Sequence, residues 1–176
     1  MVASLVVAWS AWGFVQPVGP GAAAPDFTVR STDGELIQLK HALEKGPVIL
    51  YFTSTGCPVA SKANPYYREL ASAFKSTKVS FYAVVNAGEA ETKAWALKRK
   101  LDFTCIPDGR YSIIKAFRVT KAPGCAVIGV DGTVLKYWDG WSKATLQAIA
   151  RVVAAAARMT VPKLALKGAS STLEFG

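Results

Sequence analysis

The sequence predicts one mixed α/β domain in which helices cover both faces of a central β-sheet. Short apolar runs rich in β-branched and aromatic residues alternate along the chain with stretches of helical periodicity, and the connections between them are short. With 176 residues, 51% of them hydrophobic, the chain is long enough for one full core. It is too short for two comfortable domains.

The N-terminal part differs in composition from the rest. Residues 1–25 carry no charged side chain, and residues 2–15 form an apolar run. We therefore expect residues 1–23 to be a leader or a flexible extension. The run is shorter than the roughly 20 residues of a spanning helix, so we expect no permanent membrane span. The apolar N-terminus favours an extracytoplasmic location, periplasmic or secreted, although the missing basic n-region leaves a cytoplasmic one open.

Residues 24–158 are predicted to form the domain. It opens with a β-hairpin, in which residues 27–30 and 36–39 are strands around a Ser-Thr-Asp-Gly turn. A helical turn over residues 41–45 follows. Residues 48–52 are then an apolar run of β-formers, which is typical of a strand buried on both faces.

The remaining elements continue the alternation, and a tail closes the chain. Apolar positions at helical spacing follow Cys57 as far as Thr77. Residues 159–176 show no consistent period and are predicted to be a C-terminal tail. Between them we expect strands over residues 79–85 and 102–106, helices over 89–101 and 111–117, a hairpin of strands over 125–129 and 133–138, and a helix over 142–158.

Charge and ligand chemistry exclude some classes of function. The net charge is +9, yet no basic helix interleaved with aromatic residues accompanies it, so we expect no nucleic-acid partner. The only histidine, His41, has no cysteine at ligand spacing, and the three cysteines form no Cys-x-x-Cys pair. We therefore expect neither a metal nor another cofactor, and we expect His41 to be a surface helix residue.

The candidate catalytic residue lies where the strand over residues 48–52 gives way to a helix. The sequence there is Thr-Ser-Thr-Gly-Cys-Pro, which places Cys57 at the helix N-terminus. Unpaired backbone N–H groups and the positive end of the helix dipole favour thiolate over thiol at such a position. The sequence therefore predicts that any chemistry of this chain is centred on Cys57.

Four segments carry a resemblance to a known family: residues 24–27 (Ala-Pro-Asp-Phe), 33–39 (Asp-Gly-Glu-Leu-Ile-Gln-Leu), 50–58 (Leu-Tyr-Phe-Thr-Ser-Thr-Gly-Cys-Pro) and 121–132 (Lys-Ala-Pro-Gly-Cys-Ala-Val-Ile-Gly-Val-Asp-Gly). In order and spacing they resemble the thioredoxin-like redoxins of the alkyl hydroperoxide reductase/thiol-specific antioxidant (peroxiredoxin-like) superfamily, from about residue 20 to residue 157. The resemblance implies a thioredoxin-like fold with an N-terminal β-hairpin extension. It also implies cysteine redox chemistry with antioxidant or thiol-disulfide activity.

By this resemblance, Cys57 is the attacking cysteine and Pro123 is the cis-proline whose loop faces it. The alternative for Pro123 is an ordinary trans-proline turn. Pro123 follows Cys57 by 66 residues, which suits periplasmic thioredoxin-like proteins better than a minimal thioredoxin. A cis bond here would leave the backbone groups of Ala122 free to bind an extended substrate chain.

Several residues around Cys57 are assigned supporting roles. Ser54 and Thr55 offer hydroxyls beside the cysteine, as does Thr53, and Pro58 follows it at the start of the helix. Hydroxyls stabilise a thiolate only modestly, and Lys62, about one turn on, can simply point to water. These residues are therefore interpreted as support for the thiol and not as catalysts.

The helpers of the better-known family members are missing. A dithiol reductase has a second cysteine at the fourth position of the Cys-Pro-Val-Ala motif, where this chain has Ala60, so fast exchange through Cys-x-x-Cys is excluded. The buried acid of thioredoxins corresponds to Tyr51, which cannot act as a carboxylate near neutral pH. Pro123 stands where peroxiredoxins carry an arginine, and Leu50 where they carry a proline, while Ser54 matches their Thr/Ser hydroxyl.

A resolving thiol is the remaining question. Cys125 lies two residues beyond Pro123, which makes it the possible resolving cysteine because that loop lies beside the site. The alternative is a strand cysteine packed as a small hydrophobic residue. Cys105 falls in a short strand and is likewise expected in the core.

The sequence therefore predicts a monothiol thioredoxin-like oxidoreductase. Cys57 would attack a protein or small-molecule disulfide or a peroxide, and an external thiol reductant would reset it. The missing arginine argues against efficient peroxide turnover. The alternative is a non-catalytic redoxin-fold module that binds peptide or protein partners at the cis-proline loop.

Overall fold

The computed structural model describes residues 16–176, and its elements follow the predicted alternation of strands and helices. In chain order they are β1 (Thr28–Arg30), β2 (Leu36–Gln38), α1 (Leu39–Lys45), β3 (Val48–Thr53), α2 (Pro58–Phe74), β4 (Ser80–Val85), α3 (Glu89–Lys98), β5 (Thr104–Pro107), α4 (Ser112–Ala116), β6 (Gly124–Ile128), β7 (Val134–Asp139) and α5 (Lys143–Ala156).

The central sheet is built around β3, in which every residue is buried. Its strand order is β5-β4-β3-β6-β7, and β1 and β2 form a separate antiparallel pair. The sheet is mixed, since β3 pairs in parallel with β4 and antiparallel with β6. A strand buried on both faces has no polar side to show to water, which explains the unbroken apolar run of its sequence.

Helices cover the two faces of this sheet and enclose two apolar clusters. On one face, Tyr67 and Leu70 of α2, Trp95 of α3 and Ile149 of α5 pack against the sheet. On the other face, the cluster contains Ile37 of β2, Leu43 of α1, Ile113 of α4 and Phe117, which directly follows α4. Alternate residues of β3 point to opposite clusters, as the pleat of a strand requires.

Two helices end earlier than their sequence pattern predicts. The helix expected to reach Thr77 ends at Phe74, because the Thr77 backbone N–H and hydroxyl both donate to the Phe74 carbonyl and close a turn. The helix expected to reach residue 101 ends at Lys98, and Lys100 takes a left-handed conformation with φ of 52°. Turn geometry overrides the apolar period at both ends.

The segments outside the core elements pack against the domain. Gly21 and Ala22 exchange backbone hydrogen bonds with Val134 of β7, while most of the leader predicted over residues 1–23 lies outside the described residues. Residues 159–176 contain no helix or strand, but the buried side chain of Leu166 fixes their first half to the α2 and α5 face. Among residues 16–176, no helix is both long and apolar enough to cross a membrane.

Candidate active site

Cys57 caps the N-terminus of α2, directly beyond the end of β3. Its Sγ accepts a hydrogen bond from the backbone N–H of Ala60 at 3.4 Å. Pro58 occupies the first turn of α2, where its missing N–H costs no intrahelical bond and its fixed φ suits a helix start. The Cys57 residue is partly exposed, so it combines access to solvent with a backbone donor at its sulfur.

The loop that precedes β6 faces this sulfur. The Ala122–Pro123 peptide bond is cis, and the Cys57 thiol donates to the Ala122 carbonyl oxygen with a Sγ to O distance of 3.7 Å. The pairing of β3 with β6 brings the two together, because Phe52 lies opposite Gly124 in the register of the two strands. Residues 65 positions apart in the chain thus share one site.

Tyr51 stands at the position of the thioredoxin acid and is completely buried. Its hydroxyl donates to the Asn64 Oδ1 at 2.8 Å, and its ring stacks on Tyr67 with 3.8 Å between centroids. Burial raises the pKa of the Tyr51 phenol far above its ordinary value, so the group is neutral at any physiological pH. The structure therefore offers a packed hydrogen-bond donor here and no proton acceptor.

The hydroxyls near Cys57 have different surroundings. Ser54 borders the same cavity as the cysteine. The Thr55 hydroxyl donates to Glu91 Oε1 at 2.7 Å, while its backbone N–H donates to Asn86 Oδ1 at 3.3 Å, so Thr55 fixes the loop to α3 and to the residue that follows β4. Thr53 is buried at the end of β3. Thr53 and Ser54 thus both line the cavity, and Ser54 is the more exposed of the two.

Lys62 lies on the exposed surface of α2. Its side chain is 68% exposed, and its Nζ is 3.9 Å from Glu174 Oε2. An ion pair this exposed contributes little stability, because water screens both charges. The partner of Lys62 thus belongs to the C-terminal segment of the chain, and the pattern of the sequence does not indicate this pair.

The other two cysteines are core residues. Cys125 is fully buried opposite Tyr51 in the β3–β6 pairing, and burial raises the pKa of its thiol. Cys105 on β5 is 2% exposed, and burial, with a smaller contribution from Asp33, raises the pKa of its thiol to about 12. Both are neutral thiols near pH 7, and none of the three cysteines forms a disulfide.

A cavity of about 270 Å³ opens beside Cys57. Its walls are largely apolar, and Lys121 is the only cationic side chain among the described residues that line it. No arginine is found among these lining residues of the described chain. They are Phe52, Thr53, Ser54, Cys57, Asn86, Tyr111, Ile114, Val119, Thr120, Lys121, Ala122 and Gly176.

The expectation that Ala122 keeps free backbone groups is wrong. Its N–H donates to the Gly176 carbonyl at 3.2 Å, and its carbonyl accepts from the Gly176 N–H at 2.8 Å. Sequence reasoning missed Gly176 as a site residue, because the contact is between backbones and leaves no side-chain signature in the aperiodic tail. The chain itself therefore occupies the position expected for a substrate chain.

Metal-ligating residues do not cluster. Within residues 16–176, no group of His, Cys, Asp and Glu side chains is arranged to hold a metal ion. His41 is exposed on α1, as expected for a surface helix residue.

Comparisons with known proteins identify a family and relatives of this chain. The model of the AhpC/TSA family matches residues 20–137. Thiol-disulfide oxidoreductase ResA of Bacillus thuringiensis subsp. konkukian is 33% identical over 122 residues, which are 68% of this chain and 69% of that protein. The chloroplastic peroxiredoxin Q of Arabidopsis thaliana is 34% identical over 91 residues, which are 52% of this chain and 42% of that protein.

A solved structure shows the fold. The thioredoxin domain of a thiol-disulfide oxidoreductase from Bacteroides vulgatus superposes with a TM-score of 0.66, covering 76% of this chain and 97% of that one at 18% identity. The predicted thioredoxin-like fold, with its mixed central sheet and N-terminal antiparallel strand pair, is confirmed.

Proposed function

Because the chain belongs to the AhpC/TSA family and is a thiol oxidoreductase with a thioredoxin-like fold, we propose that Cys57 is its attacking residue and acts as a monothiol. The observation that carries this proposal is the position of the sulfur. It lies between the Ala60 N–H at 3.4 Å and the Ala122 carbonyl at 3.7 Å. The first group donates to the sulfur, as a hydrogen-bond partner of an attacking sulfur must, and the second accepts from the thiol and fixes its position.

The proposed reaction has two exchange steps. The Cys57 thiolate attacks one sulfur of a disulfide, so that a bond forms to Cys57, the substrate S–S bond breaks, and the second sulfur leaves as a thiolate that takes up a proton. An external thiolate then attacks the substrate sulfur of the mixed disulfide. The free Cys57 thiolate is regenerated, and the external thiol leaves in a new disulfide with the substrate group.

The monothiol character follows from the neighbours of Cys57. Ala60 fills the place of a resolving cysteine. Cys125 is the other candidate for the resolving cysteine. Its complete burial and the raised pKa of its thiol favour the alternative, in which it is a core residue. We therefore assign the second step to a thiol from outside the chain.

A disulfide is the favoured substrate over hydrogen peroxide. In the peroxiredoxins that the chain resembles, an arginine stabilises the leaving oxygen. The one cationic side chain among the described residues that line this cavity is Lys121, whose Nζ lies 4.2 Å from the ring centroid of Phe175. If a peroxide does react, Cys57 becomes a sulfenic acid while the peroxide leaves as an alcohol or water. The external thiol would then form a mixed disulfide and release water.

The proposal also covers the cellular compartment of the domain and its partners. The apolar, uncharged composition of residues 1–23 favours a leader that directs the domain at residues 24–158 to an extracytoplasmic compartment. A role restricted to binding partners at the loop of Pro123 is not favoured, since the relatives that match the chain carry the names of oxidoreductases. The partners of Cys57 are then expected to be disulfides, as substrates, and thiols, as reductants.

The kinetics of Cys57 test this function. The wild-type protein should react with a small disulfide at neutral pH at least about tenfold faster than free cysteine does. It should also reduce that disulfide catalytically when an external thiol is supplied. Cys57→Ser should abolish both reactions, whereas Cys125→Ala should retain them as the matched control. A Cys57 thiol no more reactive than free cysteine would refute the proposal.

A further inference from the structure

Residues 170–176, which we call the returning segment, run along the domain edge towards Cys57. The Lys143 N–H at the start of α5 donates to the Ser170 carbonyl at 2.7 Å. Further along, Trp141 and Glu174 form an antiparallel bridge with two backbone hydrogen bonds of 2.8 and 2.9 Å. The reciprocal pair between Ala122 and Gly176 completes the series. The returning segment is thus held like an added β-strand.

The domain is shaped to let this segment pass closely. Gly140 has a φ of 77°, and a Cβ built on it would lie 2.5 Å from the Glu174 carbonyl oxygen. A Cβ on Gly176 would lie 2.8 Å from the Cys57 Sγ. Two glycines, one on each side of the contact, therefore allow the segment to reach the sulfur.

Side chains add weaker contacts to the same segment. The Lys121 Nζ lies 4.2 Å from the ring centroid of Phe175, and Lys62 pairs with Glu174 at the surface. A cation–π contact and an exposed ion pair are each modest in water. The segment is consequently held by a few backbone pairs and exposed contacts, an arrangement that can open without unfolding the core.

We propose that the returning segment determines substrate class: it occupies the place of a polypeptide beside Cys57 and restricts the folded site to small disulfides with apolar bodies. A polypeptide that binds through the backbone of Ala122 must first displace Gly176, since both groups of Ala122 are already paired. A small disulfide needs neither group. The cavity lined by Phe52, Ile114 and Val119 can take its apolar part while one sulfur meets Cys57.

The inference rests on the proposed function of Cys57, and the reaction is the same balanced exchange. The thiolate of Cys57 attacks the small disulfide, the leaving thiolate departs, and an external thiol supplies the electrons for the reset. The returning segment competes with a polypeptide substrate for the backbone groups of Ala122. A segment docked about nine-tenths of the time lowers the apparent rate with a competing polypeptide about tenfold.

Two probes with one leaving group measure this selectivity. The first is 2,2′-dithiodipyridine, a small neutral disulfide. The second is a soluble extended peptide whose central cysteine is blocked as its 2-thiopyridyl mixed disulfide. Both release pyridine-2-thione, so one signal follows both reactions. The attacked sulfur carries a pyridyl ring in the first probe and an alkyl group in the second, and the quantity compared is therefore the change in the ratio of the two rates between variants. Each is measured on the full chain and on a variant that lacks residues 170–176.

The full chain should favour the small disulfide. Loss of the returning segment should raise the peptide rate about tenfold and change the small-disulfide rate less than about twofold. A synthetic peptide of the sequence Lys-Gly-Ala-Ser-Ser-Thr-Leu-Glu-Phe-Gly, added to the shortened variant, should lower the peptide rate again, whereas a scrambled peptide should not.

A substitution tests the same point in the full chain, in case the shortened variant folds poorly. Gly140→Ala adds the strain of a left-handed residue and also pushes a Cβ against Glu174. Gly132→Ala is the matched control, because Gly132 has a φ of 80° and a Cβ built on it would meet nothing within 4 Å. Only Gly140→Ala should raise the ratio of peptide rate to small-disulfide rate.

Each outcome separates the two proposals. If the ratio of the two rates stays the same in every variant, or both rates rise equally, the segment does not select substrates and the inference is overturned. If neither probe reacts with Cys57 in any variant, the proposed function fails and the inference fails with it. A raised ratio in the shortened variant and in Gly140→Ala supports the selection.

Discussion

Cys57 differs from the other two cysteines in its surroundings more than in its sequence context. Cys105 and Cys125 are buried in strands, where loss of solvent raises the pKa of each thiol. Cys57 is partly exposed, and its sulfur contacts backbone groups from α2 and from the loop before β6. Reactivity at this residue thus depends on two segments of the chain that the β3–β6 pairing holds together.

Tyr51 is expected to serve structure and not proton transfer. Tyr51→Phe removes the donor that pairs with Asn64 and leaves a buried amide oxygen without its partner. We predict a loss of about 1–3 kcal/mol in the free energy of unfolding, measured by urea denaturation. The rate of Cys57 with a small disulfide should change less than about twofold, since a buried neutral phenol does not relay a proton.

Tyr66→Phe is the matched control for Tyr51→Phe. The Tyr66 hydroxyl lies at the surface, 3.4 Å from the Lys167 carbonyl, so its removal should cost less than about 0.5 kcal/mol. A tenfold loss of rate in Tyr51→Phe, with the fold intact, would contradict a purely structural role for the phenol.

Sequence reasoning could single out candidate residues from local patterns. Cys57 is a candidate because a strand pattern, Cys-Pro and a helical period meet at one point, and Pro123 is a candidate because its loop follows a family pattern. The role of Thr55 was not identifiable, since its hydroxyl partner Glu91 comes from another helix. Pairs between distant side chains depend on packing details that periodicity does not encode.

At the scale of single elements, capping decides where helices begin. Cys57 caps α2 with a sulfur, and Ser142 caps α5 with a hydroxyl that accepts from the Thr145 N–H at 3.1 Å. Both caps follow strands of the central sheet. The same physical rule therefore places the proposed attacking residue at the start of one helix and a structural residue at the start of the other.

The cap of α5 can be tested directly. Ser142→Ala removes the acceptor for the Thr145 N–H in a buried setting. We predict a loss of about 1 kcal/mol in the free energy of unfolding, within a range of about 0.5–2. Ser142→Gly is the control, because glycine at a cap position costs only about a few tenths of a kcal/mol by comparison. An unchanged free energy of unfolding in Ser142→Ala would show that the hydroxyl does not act as a cap.

The order and type of the elements could be predicted because hydrophobic period differs between strands and helices. The apolar run over residues 48–52 had no polar alternation and proved to be the central strand. The ends of helices were less predictable. The turn at Thr77 and the left-handed Lys100 depend on local backbone geometry, which the apolar pattern does not specify.

At the scale of the whole molecule, the buried thiols lower the free energy of unfolding as the pH becomes alkaline. The pKa of Cys105 is raised from 9.0 to about 12 in the folded protein, chiefly by burial. The unfolded chain therefore releases this proton first as the pH rises, and the free energy of unfolding falls between those two values. Below about pH 8 the thiol is protonated in both states, and this effect vanishes.

Cys105→Ala should remove this part of the pH dependence. The variant is expected to be less stable than the wild type at about pH 8, because it loses packing in a buried position. That difference should narrow by about 1 kcal/mol by about pH 10, since only the wild type loses stability as the Cys105 thiol of its unfolded chain ionises. Urea unfolding at both pH values measures it, and a constant difference would contradict the raised pKa.

The path of the returning segment could not be predicted from the sequence. The docking of residues 170–176 uses backbone pairs with Trp141 and Ala122, and any sequence can form backbone pairs. The docking requires that positions 140 and 176 carry no side chain, which is why both are glycine. A glycine in an aperiodic tail is common, so it provides no signal until the fold brings it to the sulfur.

The central claim is that Cys57 forms a lasting mixed disulfide because no second cysteine of the chain resolves it. Intact-mass measurement after one equivalent of a small disulfide tests this most directly, with peptide mapping to locate the adduct. The account predicts one adduct on Cys57 that persists until an external thiol is added, and none in Cys57→Ser. Spontaneous loss of the adduct with formation of an internal disulfide from Cys57 to Cys125 or Cys105 would contradict it.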